Sequence, residues 1–76
     1  MADFKYEILK EVGAISQSPS GWKKELNLVS WNGGEPKLDL REWSPDHTKM
    51  GKGVSLTVEE AQKLYSLLKA VLQASD

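Results

Sequence analysis

Across residues 21–57 the side chains alternate in character with a period of two, and this alternation limits the chain to extended strands over most of its middle. Leu26, Leu28, Leu38, Leu40, Val54 and Leu56 fall on one face. Lys23, Glu25, Asn27, Val29, Trp31, Lys37, Asp39, Arg41 and Trp43 fall on the other. The alternation breaks at Asn32-Gly33-Gly34, where Asn and Gly tolerate the positive φ of a tight hairpin. It breaks again in a polar loop over residues 44–51, which holds Pro45, Asp46, His47 and Lys49. Strands are therefore expected over residues 22–31, 37–43 and 52–56.

A further strand is expected earlier, over residues 3–15. Phe4, Tyr6 and Ile8 alternate there with Asp3, Lys5 and Glu7, with one lapse at Leu9–Lys10 where a bulge would fit. A Ser, Pro and Gly cluster over residues 16–21 marks the turn that follows. After the last strand the period changes. Thr57 and Glu60 have the spacing of a capping box, and Ala61, Leu64, Tyr65, Leu68, Val71 and Leu72 form one helical stripe. The predicted fold is α+β: a four-stranded curved antiparallel sheet followed by one C-terminal helix, in the order β-β-β-β-α, within a single domain over residues 1–76.

With 76 residues the chain buries only a small core. It has no Cys, so neither disulfides nor thiolate metal sites can reinforce it, and one His offers no clustered metal ligands. Homodimerisation is the remaining route. Leu67 widens the helical stripe beyond what one small sheet needs, so the dimer is expected to form through the C-terminal helix. No run is apolar enough to span a bilayer and no charged-then-apolar leader opens the chain, so a soluble, cytoplasmic protein is expected.

The polar face carries the functional signal. Trp31 and Trp43 share it with Lys23, Asn27, Lys37 and Arg41. Large aromatics beside cations suit the stacking of unpaired bases, each stack contributing roughly 1–3 kcal/mol. The same pattern also fits tryptophans that cover a sheet edge or a dimer seam beside ordinary solvated cations. The net charge of −1 lacks the broad positive field of most nucleic-acid-binding domains, so binding would rest on local charge placement. Asp39 and Glu42 suit a role in orienting Arg41 or excluding duplex. His47 is expected to be solvated or to face phosphate. No nucleophile with a visible base, no phosphate-binding Gly loop and no metal motif is present, so no catalytic residue, metal or cofactor is expected.

The segment Asp39-Leu40-Arg41-Glu42-Trp43, the polar loop with Lys49, and Lys52-Gly53-Val54-Ser55-Leu56 before a helix resemble the positive cofactor four (PC4) family of single-stranded-DNA-binding proteins. The strings Lys-Glu-Leu-Asn-Leu-Val-Ser-Trp-Asn-Gly and Asp-His-Thr-Lys-Met-Gly-Lys-Gly resemble its bacterial YdbC-like branch. The resemblance implies a curved four-stranded sheet plus helix in a symmetric dimer. It implies that Trp31 stacks bases, that Trp43 joins it, and that Arg41, Lys49, Lys52 and Lys23 or Lys24 meet phosphates. Relatives of the eukaryotic type have two adjacent aromatics where this chain has Trp43 alone, and a basic residue where it has Val29. They also carry a long Ser- and Lys-rich arm that has no counterpart here.

Taken together, the expected function is single-stranded DNA binding with little sequence preference, in transcription, replication or repair, by a nucleoid-associated homodimer. The expected contact residues are Trp22, Lys23, Lys24, Asn27, Trp31, Lys37, Arg41, Trp43, Lys49 and Lys52. The alternatives are a protein–protein interaction module, or a single-stranded RNA binder using the same face.

Overall fold

The structure is a computed structural model and describes residues 5–74. Its elements are β1 (Tyr6–Gln17), β2 (Lys23–Trp31), β3 (Pro36–Trp43), β4 (Met50–Leu56) and α1 (Val58–Ala74). The four strands form one antiparallel sheet, as expected, and lie in it in the order β1-β2-β3-β4. β1 runs two residues past its expected end, and its expected beginning at Asp3 and Phe4 lies outside the described residues. β4 starts at Met50, two residues ahead of its expected start at Lys52.

The turns form where the sequence marks them. Asn32 (φ 51°) and Gly33 (φ 75°) make the β2–β3 hairpin turn, closed by the Gly34 amide donating to the Trp31 carbonyl at 2.8 Å. Asn32 also ties this turn to the start of the sheet: its amide donates to the Lys5 carbonyl at 2.7 Å and its Oδ1 accepts from the Lys5 amide at 3.0 Å. At α1 the capping box is complete. The Glu60 amide donates to Thr57 Oγ1 at 3.1 Å, and the Thr57 amide donates to Glu60 Oε1 at 2.9 Å.

β1 departs from a regular strand three times. Its register against β2 shifts between Ile8 and Lys10, between Glu11 and Gly13, and between Ala14 and Ser16. The first shift falls at the lapse seen in the sequence. Each leaves one residue without a partner across the ladder: Leu9, Val12 and Ile15, all exposed. The spacing of residues that meet β2 becomes three instead of two, so Tyr6, Ile8, Glu11 and Ala14 lie across from Trp31, Val29, Asn27 and Glu25. Bulges also increase local twist, which turns β1 relative to its neighbour.

The sealed face is the opposite of the expected one. Leu26, Leu28, Leu38, Leu40 and Leu56 are only half-buried, and Val54 is 48% exposed. On the other face Val29, Trp43 and Asp39 are 0% exposed and Asn27 is 1% exposed. That face closes because its large side chains pack on one another and on the 44–49 loop, whereas α1 meets the sheet mainly at β3 and β4 and covers little of the leucines. The radius of gyration is 14.1 Å, against about 11 Å for a compact chain of this length.

Gly53 lies across from Arg41 on β3, and a Cβ there would collide with the Arg41 Cα and Cβ and the Leu40 carbonyl. The close approach of these two backbones fixes where the Arg41 side chain starts. Gly53→Ala is expected to destabilise the fold by about 1–3 kcal/mol through this overpacking, read as a lower urea midpoint. An unchanged midpoint would show that the two strands can part at no cost.

Candidate nucleic-acid interface

Arg41 projects from β3 into a fixed set of partners. Its Nε donates to Asp39 Oδ1 at 2.8 Å and its Nη2 to Asp39 Oδ2 at 2.9 Å, a two-pronged charged pair. Nη1 donates to the Gly51 carbonyl at 3.1 Å. The Ser55 hydroxyl donates to Asp39 Oδ2 at 2.8 Å, so a wholly buried carboxylate is satisfied on both oxygens. Held in this way, the guanidinium carbon sits 5.0 Å from the centroid of the Trp31 ring, a cation–π contact. Arg41 is therefore half-buried and oriented by Asp39, as its acidic neighbour suggests. Asp39 and the Gly51 carbonyl engage three of its five N–H donors, which leaves little of the fork for the expected phosphate contact.

Trp31, Lys37, Arg41 and Ser55 line an open groove of about 450 Å³. Trp31 is half-buried and Lys37 exposed. Tyr6 of β1 lies beside Trp31, with ring centroids 5.7 Å apart and planes tilted by 46°, and its own ring is exposed. Tyr6 also lies 5.6 Å from the ring of Trp43. Trp43 is sealed between Tyr6 and His47, whose ring centroid is 5.5 Å away. The expectation that Trp43 offers an open stacking face is thus corrected: it is a core residue, and Tyr6 is the aromatic exposed above it. The sequence gives no direct sign of this, because Tyr6 reaches Trp31 only through the register of β1.

The remaining expected residues do not gather in that groove. Asn27 is buried, across from Glu11 of β1, rather than exposed among the cations. Lys23 is exposed on the same face as Asn27. Lys24 pairs across from Glu42 in the leucine-face phase, away from the groove. Lys52 is exposed at the β3–β4 register shift between Arg41 and Trp43. Trp22 and Lys49 come together at the other end of β2, where they line a second open cavity of about 310 Å³ with the 44–48 loop.

That loop is held by its own polar groups. Asp46 Oδ1 accepts from the Thr48 hydroxyl at 2.7 Å, the Thr48 amide at 3.1 Å and the Ser44 hydroxyl at 2.9 Å. The Lys49 amide donates to Ser44 Oγ at 3.0 Å. His47 takes a positive φ of 61°, and its Nε2 lies 3.0 Å from both carboxylate oxygens of Glu25. The expected solvated or phosphate-facing role for His47 is corrected by this pairing, which pins the loop onto β2. A left-handed backbone at a non-Gly residue cannot be read from composition, and with it the Glu25 contact was out of reach.

The sheet thus sets Trp31 and Tyr6 beside the oriented Arg41 and the exposed Lys37, a combination whose chemistry suits flat rings next to anions. The family model described as Transcriptional Coactivator p15 (PC4) matches residues 18–67. The chain belongs to the PC4 family, which is nucleic-acid-binding and non-enzymatic. It is also 49% identical, over 69 residues, to an uncharacterized protein of Treponema pallidum (strain Nichols), the match covering 91% of this chain and 81% of that protein. No helix among the described residues is long and apolar enough to cross a membrane.

The hydrogen bonds from the Thr48 side chain, the Thr48 amide and the Ser44 side chain lower the Asp46 pKa from 3.8 to about 2. Because the folded value lies below the unfolded one, the contribution to stability is present above about pH 4 and is lost as pH falls through about 2. A carboxyl-carbon NMR titration should place the Asp46 midpoint near 2 in the native chain and closer to 3.8 in Thr48→Val. A native midpoint at 3.8 would mean that the loop does not hold these bonds in solution.

Proposed function

We propose that this chain is a homodimeric, cytoplasmic and nucleoid-associated single-stranded DNA-binding protein, built as a single domain and belonging to the bacterial YdbC-like branch of its family. It binds with little sequence preference and acts where duplex is opened, in transcription, replication or repair. The observation that carries this reading is the groove in which Arg41, locked by Asp39, backs the ring of Trp31 next to exposed Tyr6 and Lys37. Trp31 and Tyr6 stack bases. Lys37, Lys49, Lys52 and Lys23 meet phosphates, and Trp22 adds a further ring at the far end of β2. Arg41 shapes the groove more than it grips the strand.

The dimer is supported by what the single chain leaves uncovered. Leu64, Leu67, Leu68, Val71 and Leu72 of α1 are exposed, and the leucine face of the sheet is only half-buried. A second copy laid against these surfaces would bury both and complete the core that a lone chain of this size lacks.

Titration of tryptophan fluorescence with oligothymidine tests the reading. Affinity is expected to fall with salt at a log–log slope of about −0.7 per phosphate neutralised. Trp31→Ala should weaken binding by roughly 1–3 kcal/mol, alike for different sequences. Duplex of equal length should bind much more weakly, and equal binding of the two forms would rule out stacking. Competition with RNA of matched sequence decides between the two polymers, because none of the groove residues is set to read a 2′-hydroxyl by its chemistry alone.

A further inference from the structure

A further cavity, on the same face as the groove, has no part in stacking. It lies between β1 and β2, holds about 200 Å³, and is lined by Glu11, Lys23, Glu25, Asn27 and His47 among others. Asn27 forms its most buried wall. The Asn27 Nδ2 donates to Glu25 Oε1 at 3.3 Å. A carboxylate only accepts, so the amide nitrogen must be the side that faces Glu25, and the orientation of the amide follows from chemistry. Its Oδ1 is then buried with no hydrogen-bond partner among the described residues. Buried amide oxygens are nearly always paired, so one that is not points to a donor from outside the chain.

The surroundings state what kind of donor. Glu25 is nearly buried, and both of its oxygens lie 3.0 Å from His47 Nε2, so its carboxylate is fixed in place. Glu11 lies directly across from Asn27 in the β1–β2 ladder. The lining thus offers three acceptor groups, Asn27 Oδ1 and Glu25 within and Glu11 at the exposed β1 side, while the exposed Lys23 supplies a cation at the edge. With liquid water filling about 30 Å³ per molecule, the space of about 200 Å³ would hold roughly seven waters, or one flat ring. A nucleotide matches both halves: an amino-bearing base donates inward, and its phosphate stays outside by Lys23.

The cavity is joined to the groove by an unbroken chain of contacts. Trp31 meets Tyr6, Tyr6 meets Trp43, Trp43 meets His47, His47 meets Glu25, and Glu25 meets Asn27. Asn27 and Trp31 lie four residues apart on one face of β2, a distance of about 13 Å. A strand stacked on Trp31 spans that distance within a few nucleotides.

We propose that this cavity reads one base of a bound single strand, accepting hydrogen bonds from the exocyclic amino group of cytosine, adenine or guanine and disfavouring thymine and uracil. The inference rests on the single-strand reading above and adds one selective position to an otherwise indifferent stack. Cytosine carries an amino donor where uracil carries a carbonyl, so the two bases differ only on the edge that enters.

The test is a fluorescence titration of the full chain with oligodeoxycytidine and oligodeoxyuridine of equal length, at neutral pH and one salt concentration. The wild-type chain is expected to favour cytosine by at least about fivefold. Asn27→Val and Glu11→Gln should each bring the ratio towards one. If circular dichroism shows Asn27→Val unfolded, Glu11→Gln on the exposed strand carries the same test. A wild-type ratio near one means that the cavity holds only water and overturns the proposal. A ratio that survives Glu11→Gln and a folded Asn27→Val overturns it too, since the preference would then reside elsewhere. Trp31→Ala separates the two readings. If it leaves oligodeoxyuridine binding unchanged, the stacking groove itself fails; if it weakens binding while the wild-type ratio stays near one, only the base-reading cavity fails.

Discussion

The charge of Asp39 is the constraint around which the sheet is organised. A carboxylate with no exposed surface is tolerable only when every lone pair facing the interior has a donor. Arg41 supplies two, Ser55 a third, and each comes from a strand at or beside β3. To deliver them β4 must pass close to Arg41, and Gly53 is the residue that lets it do so. The same contacts fix the guanidinium over Trp31. A polar interaction, more than an oily core, thus sets the geometry of the groove and holds its aromatic ring at a defined angle.

This explains why the two faces exchanged roles. The sequence separates leucines from a mixed face of Trp, Asn, Asp and Arg, and the natural expectation buries the leucines. In the single chain the mixed face seals itself, because Asp39–Arg41, Glu25–His47 and Tyr6–Trp43 satisfy or shield one another. The leucines need a surface from elsewhere, and α1 touches the sheet too sparingly to supply it. Burial follows the pairing of polar groups on one side and awaits a partner on the other.

Much of this was legible beforehand. Alternation gave β2, β3 and β4, Asn32 and Gly33 gave the hairpin, and Thr57 with Glu60 gave the helix start. These signals are local, each resting on a few neighbouring residues. What escaped depends on distant register. Trp43 looks like an open ring until Tyr6 is known to lie against it, and Asn27 looks like a surface amide until β1 lies beside it. The bulge at Leu9 was marked by the lapse in alternation, but Val12 and Ile15 carry no such mark, and each is the extra residue of a further bulge. His47 hides its partner because one backbone angle decides where its ring goes.

Those bulges bear on solubility. β1 lies at a free edge of the sheet, and a long regular edge with exposed aliphatic residues is a template on which other chains can add strands. Interrupting the ladder every third residue scatters the free amides and carbonyls out of line, so that an incoming strand finds no continuous row to match. The irregularity of β1 leaves Leu9, Val12 and Ile15 on display at an edge that offers another chain no regular ladder to extend.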